Sequence, residues 1–199
     1  SGLIDRVDVS HYRLSLHLVL AFVILSLIFL NYLKYKQISH SKEKITYFLP
    51  LFFLFILFIQ ISIGAFVSGM DAGKIYNSWP LMGTSYFPND NSFLNLFRFS
   101  SFNDPSLVQF MHRNIAYLII LIYFVILFEI YRKKLVVFFK IINLVGYLLL
   151  LQIVLGIFTL LSGAQIILAS MHQITSIFLV STSVYIVYLN YKPNLPPSN

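Results

Sequence analysis

The chain has 199 residues, 58% of them hydrophobic and 11% charged, with 14 Lys and Arg against 7 Asp and Glu for a formal charge of +7. That composition excludes an ordinary soluble domain, and the absence of Cys excludes disulfides, thiolate metal sites and a cysteine nucleophile. The cations gather in short loops between apolar runs, a membrane-orientation pattern that argues against nucleic acid as the partner of the positive charge.

In chain order, "SGLIDRVDVS" comes first, without the basic-then-apolar layout of a signal peptide, and reads as the start of a piece of something longer. Windows of about 20 apolar residues suffice to cross a bilayer. Five such spans are predicted, Leu14–Tyr32, Tyr47–Val67, Leu107–Ile130, Leu135–Leu161 and Ile166–Leu189, so the expected fold is an all-α, polytopic membrane helical bundle. Lys34, Lys36, Lys42 and Lys44 follow the first span, and Arg132, Lys133, Lys134 and Lys140 lie around the junction of the third and fourth. These loops are expected on the cytoplasmic side, which puts the N-terminus outside and the C-terminus inside. The long stretch 68–106 and the short "LSGAQ" turn then fall on the outer side. The long stretch breaks helices with Gly, Pro, Asn and Asp and carries Tyr76, Trp79 and Tyr86, residues suited to a water–lipid boundary. It is expected to be an ordered cap on the bundle rather than a plain connector. The tail in "YKPNLPPSN" is polar and Pro-rich, and disorder is expected over 192–199.

An internal repeat runs through the spans. "QISIGAFVSG" from Gln60 and "QIVLGIFTLLSG" from Gln152 share Gln-Ile-x-x-Gly, and each is followed across an outer loop by a helix with a histidine near its start, His112 and His172. Gly64 and Gly156 taken alone could serve only close helix packing; the shared order of Gln, Gly and then His favours duplication. His40 reads as a solvated loop residue, and His11 as a boundary residue before the first span.

His17, His112 and His172 all fall a short way below the outer face, at ~1.5 Å of rise per residue. Polar groups inside a span are costly and usually face a bundle interior or a functional site. Two histidines at one level on repeated hairpins point to something between them that takes two ligands. A bis-imidazole pair can hold heme iron. Zinc is the competing metal, yet no Asp, Glu or Cys lies at that depth to complete a tetrahedron, Glu129 being at the far end of its span. Arg113, beside His112, can fork onto a heme propionate or snorkel to lipid head groups. Gln60, Gln109 and Gln173 are candidates for orienting an imidazole.

"GLIDRVDVSHYRLSLHLVLAF", "GAFVSGMDAGKIYNSWPLMG", "VQFMHRNIAYL" and "LQIVLGIFTLLSGAQIILASMHQ" together resemble the later part of a heme A synthase of the bacterial and mitochondrial type, over Gly2 to about Tyr191. The resemblance implies two similar four-helix halves. Residues 1–45 would supply the last helix of a first half that is otherwise missing, plus a cytoplasmic loop, and residues 46–191 the whole second half. It also implies a heme b held by His112 and His172 in their "FMHR" and "MHQ" contexts. The substrate would be heme O in the first half, with His17 in "YRLSLHL" on its iron; the partner histidine and an acidic residue of a Glu-x-x-x-His-Arg motif belong to the missing part. The lack of Cys suggests the cysteine-free branch of the family. The implied reaction oxidises the C8 methyl of heme O to a formyl group, making heme A for terminal oxidases. A cell inner-membrane location, a ferredoxin-type electron donor and contact with heme O synthase go with it. Two other readings of the same residues are a membrane cytochrome b that relays electrons without making a product, and a heme-free bundle in which the histidines only pack or move protons.

Overall fold

The fold is described by a computed structural model covering residues 10–46 and 48–191. The predicted tail at 192–199, Tyr47 at the predicted start of the second span, and residues 1–9 lie outside the described residues. Among those described, the α-helices are α1 (His11–Tyr35), α2 (Phe48–Gly69), α3 (Pro105–Arg132), α4 (Val136–Leu161) and α5 (Ile166–Asn190), all five long and apolar enough to cross a membrane. Each brackets a predicted span closely. Most run a few residues past the apolar window, because backbone hydrogen bonding continues into the boundary layer where side chains turn polar. Strands are absent from the described residues, apart from an isolated bridge between Met82 and Ser85.

Local chemistry sets the helix ends. Asp104 caps α3 by accepting a hydrogen bond from the Leu107 amide at 3.0 Å, with Pro105 in the first turn where its missing N–H costs nothing. The α3–α4 connection is three residues long and turns through Lys134 at φ 52°, with the Leu135 amide reaching back to the Ile130 carbonyl. The α4–α5 turn uses Gly163 and Ala164, both at positive φ.

Helix α2 packs beside α3 and α5, and α4 beside α5 and α3, so α3 and α5 face each other across a four-helix bundle. Phe53, Ile56, Ile119, Ile126, Phe138, Ile142 and Val145 fill its core. Helix α1 lies outside these four against α2 and α5, where Phe22 meets Val180 and Val184 and the Ser15 hydroxyl pairs with Ser62 at 2.8 Å. Its opposite face is open, with Leu16, Leu20, Ile24 and Ile28 exposed.

Between α2 and α3 the chain folds over one end of the bundle, the cap end, through short 3-10 turns at Ala72–Lys74, Phe93–Phe97 and Phe99–Asn103. Ala72 and Met82 are fully buried within it. At the opposite end the α1–α2 loop closes on the end of α5. His40, expected in solvent, is instead half-buried, its Nδ1 2.8 Å from the Tyr188 carbonyl and its ring against Tyr188 and Tyr191. The physical reason is that the last carbonyls of a helix have no partner within it. The Ser41 amide takes the Leu189 carbonyl at 2.9 Å, Lys44 Nζ reaches the Tyr191 carbonyl at 2.9 Å, and Asn190 exchanges two bonds with the Ile45 backbone.

Candidate functional site

Near the cap end, Gln60 and Gly64 stand one turn apart on α2, on the face turned to α3; Gln152 and Gly156 stand in the same relation on α4, facing α5. A Cβ added to Gly64 would lie 3.0, 3.6 and 3.9 Å from Cε1, Nδ1 and Nε2 of His112. At Gly156 the corresponding distances to His172 are 3.2, 3.6 and 3.9 Å. Each glycine therefore leaves the volume that an imidazole edge occupies, which is more specific than the general close packing that glycine allows. Each glutamine secures the same histidine through its backbone: Gln60 Nε2 donates to the His112 carbonyl at 3.1 Å, and Gln152 Nε2 to the His172 carbonyl at 2.7 Å.

The ring contacts follow the same plan. His172 Nδ1 lies 3.0 Å from the Gln152 carbonyl, which can only accept, so the proton sits on Nδ1 and the Nε2 lone pair is left for a ligand. The Gln60 carbonyl approaches His112 in the matching place. The bond there is not well formed, so His112 Nδ1 is a buried polar atom without a partner, and Gln60 Nε2 stands 3.4 Å from His112 Nε2. Both histidines are half-buried, on helices that face each other across the bundle.

This donor set discriminates between metals. Among the described residues no group of three or more His, Asp or Glu could hold an ion. Two imidazoles from helices on opposite sides of a bundle would supply half of the ligands zinc takes, and would suit an iron that brings its own ring nitrogens.

Arg113 does something that neither reading of its sequence context anticipates. Its guanidinium clasps the cap, Nη2 donating to the Tyr76 carbonyl at 3.2 Å and Nη1 to the Leu81 carbonyl at 3.3 Å, while Nε is buried without a partner. Gln109, a candidate for orienting an imidazole, instead donates to the same Tyr76 carbonyl at 3.0 Å. Tyr76 and Ser106 in turn hydrogen-bond the two oxygens of Asp90, at 3.0 and 2.6 Å. Burial and the Asp90 carboxylate push the Tyr76 hydroxyl above its ordinary pKa. Burial alone would raise Asp90, but the bonds from Ser106 and Tyr76 outweigh it and hold the carboxyl below its usual range.

His17 is not brought into this arrangement. It lies exposed on the open face of α1 between Leu16 and Leu20. His11 ties α1 to the cap, its Nε2 3.2 Å from Asn103 Oδ1 and its ring against Tyr12 and Phe66. Gln173 is exposed. The residue that sequence reasoning passed over as an imidazole partner is Gln152, and the signal was present: it occupies the position of Gln60 in the repeat.

The COX15-CtaA family of cytochrome oxidase assembly proteins matches residues 1–184. The chain belongs to this family. Its relatives include proteins named heme A synthase from Pelagibacter ubique, 48% identical over 96% of this chain and 56% of the relative, from Rickettsia felis, 35% identical over 95% and 57%, and from Rickettsia bellii, 37% identical over 93% and 56%. The chain thus spans somewhat over half the length of the curated relatives it matches. No solved structure matches it significantly. Like other cytochrome oxidase assembly proteins of this family, the chain is a multi-pass membrane protein, with five helices long and apolar enough to span.

Proposed function

We propose that this chain is the later part of a heme A synthase and that its four-helix bundle holds a heme b between His112 and His172. The observation that carries the reading is the repeated seat, in which Gln-x-x-x-Gly on one helix positions the histidine of the next. When bound, the heme supplies one-electron chemistry at iron. The chain's own part is to hold both histidines by their backbones, with the His172 ring fixed so that its Nε2 is free, and to close the cap over the site through Arg113, whose buried Nε is left for a propionate. His17, on the open face of α1, ligates the iron of the substrate, heme O, together with residues on helices outside this chain. The reaction is oxidation of the C8 methyl to a formyl group, and the electron donor is a ferredoxin-type partner. In this reading the cap end faces outward from the cell inner membrane.

The test is heme analysis of the full-length protein. His112→Ala and His172→Ala should each abolish the low-spin bis-imidazole spectrum, whereas His17→Ala should spare it and stop heme A formation from heme O. Equal loss of the spectrum in all three would overturn the separation of sites. Retention of heme b with no heme A from the intact protein, given heme O and a reductant, would make it an electron relay.

A further inference from the structure

The cap carries an apolar surface that the heme site does not use. Within the pair of 3-10 turns from Phe93 to Asn103, Phe93, Leu94, Phe97 and Phe99 are 59, 74, 75 and 78% exposed. This is not a loose loop. Phe87 meets Phe110 of α3 edge-on with centroids 4.9 Å apart, Phe93 tilts against Phe87 at 5.8 Å and Phe97 meets Phe93 edge-on at 5.5 Å. On the other side Phe99 packs against Phe102 and Phe102 against Phe66 of α2, both at 5.9 Å. The segment is pinned at the level of the helix ends: Asn103 Oδ1 accepts from Tyr12 at 2.9 Å in the first turn of α1, and Asn91 donates to Asp104, the cap of α3, at 3.0 Å.

We propose that Ser92–Asn103 is a membrane-interface anchor whose exposed face beds into the lipid leaflet at the cap end. Three observations select lipid over other occupants. First, the patch continues an apolar surface that already faces the membrane. Phe110, roofed by Phe87, lies on the same face of α3 as Tyr117, Leu118, Leu121, Phe124, Val125 and Phe128, all exposed at helical spacing below it. Second, the segment has no acidic residue and a single cation, Arg98, exposed between Phe97 and Phe99. Apolar side chains entering the acyl boundary with an arginine rising to the phosphates is the arrangement of an interfacial element. Third, the flanking acids lie outside the apolar run and are engaged within the protein, Asp90 with Ser106 and Tyr76, Asp104 with the Leu107 amide and Asn91. Without a partner, so many large apolar groups in so short a segment are an aggregation hazard in water.

The experiment is spin labelling of the full-length protein, in a background without other reactive cysteines, in vesicles of phosphatidylcholine and phosphatidylglycerol. A nitroxide at Phe97→Cys should relax faster with molecular oxygen, which concentrates in lipid, than with a water-soluble nickel chelate. Stronger relaxation by nickel would mean that the face is in water and would overturn the proposal. Protection from both would mean that protein covers it, a second copy or a segment outside this chain, and would overturn it as well. Leu94→Cys gives the same reading at a second exposed site if the first variant folds poorly.

Discussion

The two glycine seats allow a test in which helix stability and ligand geometry pull in opposite directions. Carbon atoms in contact settle at about 3.5–4.0 Å, so a methyl at Gly64, placed 3.0 Å from His112 Cε1, drives the ring back by about half an ångström. At Gly156, with 3.2 Å, the retreat is slightly smaller. Replacing Gly by Ala inside a helix gains about 0.8–1.0 kcal/mol in propensity, against about 1–3 kcal/mol for overpacking a filled space. The fold should therefore lose little, with a net cost of about 1 kcal/mol on average. The proposed heme site would tolerate far less, because a displacement of about 0.5 Å is the limit at which a ligand constellation still works. Gly64→Ala should shift the bound heme from low to high spin and lower its occupancy, with Gly156→Ala following more weakly. Gly69→Ala is the control: its methyl would meet the His11 backbone at 3.0 Å, disturbing the α1–α2 contact while leaving both imidazoles untouched. Reduced-minus-oxidised spectra and thermal unfolding of the three full-length variants are the measurements. Full low-spin heme in Gly64→Ala, or equal heme loss in all three, would refute the reasoning.

Asn190→Ala should destabilise the protein by about 2–6 kcal/mol, because it leaves a buried N–H and a buried carbonyl of Ile45 unpaired at about 1–3 kcal/mol each; denaturant titration in detergent reads this, and a change under about 0.5 kcal/mol would contradict it. The depressed pKa of Asp90 gives the cap an acid limit: its contribution is complete above the unfolded carboxylate value of about 4 and is lost as pH falls through the folded one. Hydrogen-exchange protection around Ser106, taken relative to the intrinsic rate at each pH, should accordingly fall only in acid below that value, and Asp90→Asn should remove that fall.

What could be read beforehand divides by whether side chains or backbone make the contact. The five spans follow from runs of apolar residues, and the repeat follows from Gln60, Gly64 and His112 keeping the order of Gln152, Gly156 and His172. What the glycines do, and how the glutamines grip, depends on which helix faces which, and no spacing along one helix contains that. The cap contacts of Arg113 are illegible for a related reason: its partners there are the carbonyls of Tyr76 and Leu81, present in any sequence and placed only by the folded cap. His40 was taken for a solvated residue because its loop is rich in lysine, whereas the bare carbonyls ending α5 draw it in.

The open face of α1 follows from the same asymmetry. Each of the hairpins α2–α3 and α4–α5 seats its own histidine, so both seats in the repeat are filled from within the chain. His17 has no such counterpart: it sits exposed at a depth where polar groups are costly, amid a stripe of exposed leucine and isoleucine. In lipid alone that histidine would be a pure liability. If the stripe packs against further helices that present a second imidazole, α1 becomes one helix of a second bundle with its own pair of imidazoles. Cross-linking from His17→Cys in the intact protein should then capture residues of its own chain upstream of this region, and capture of lipid alone would leave α1 a bare anchor.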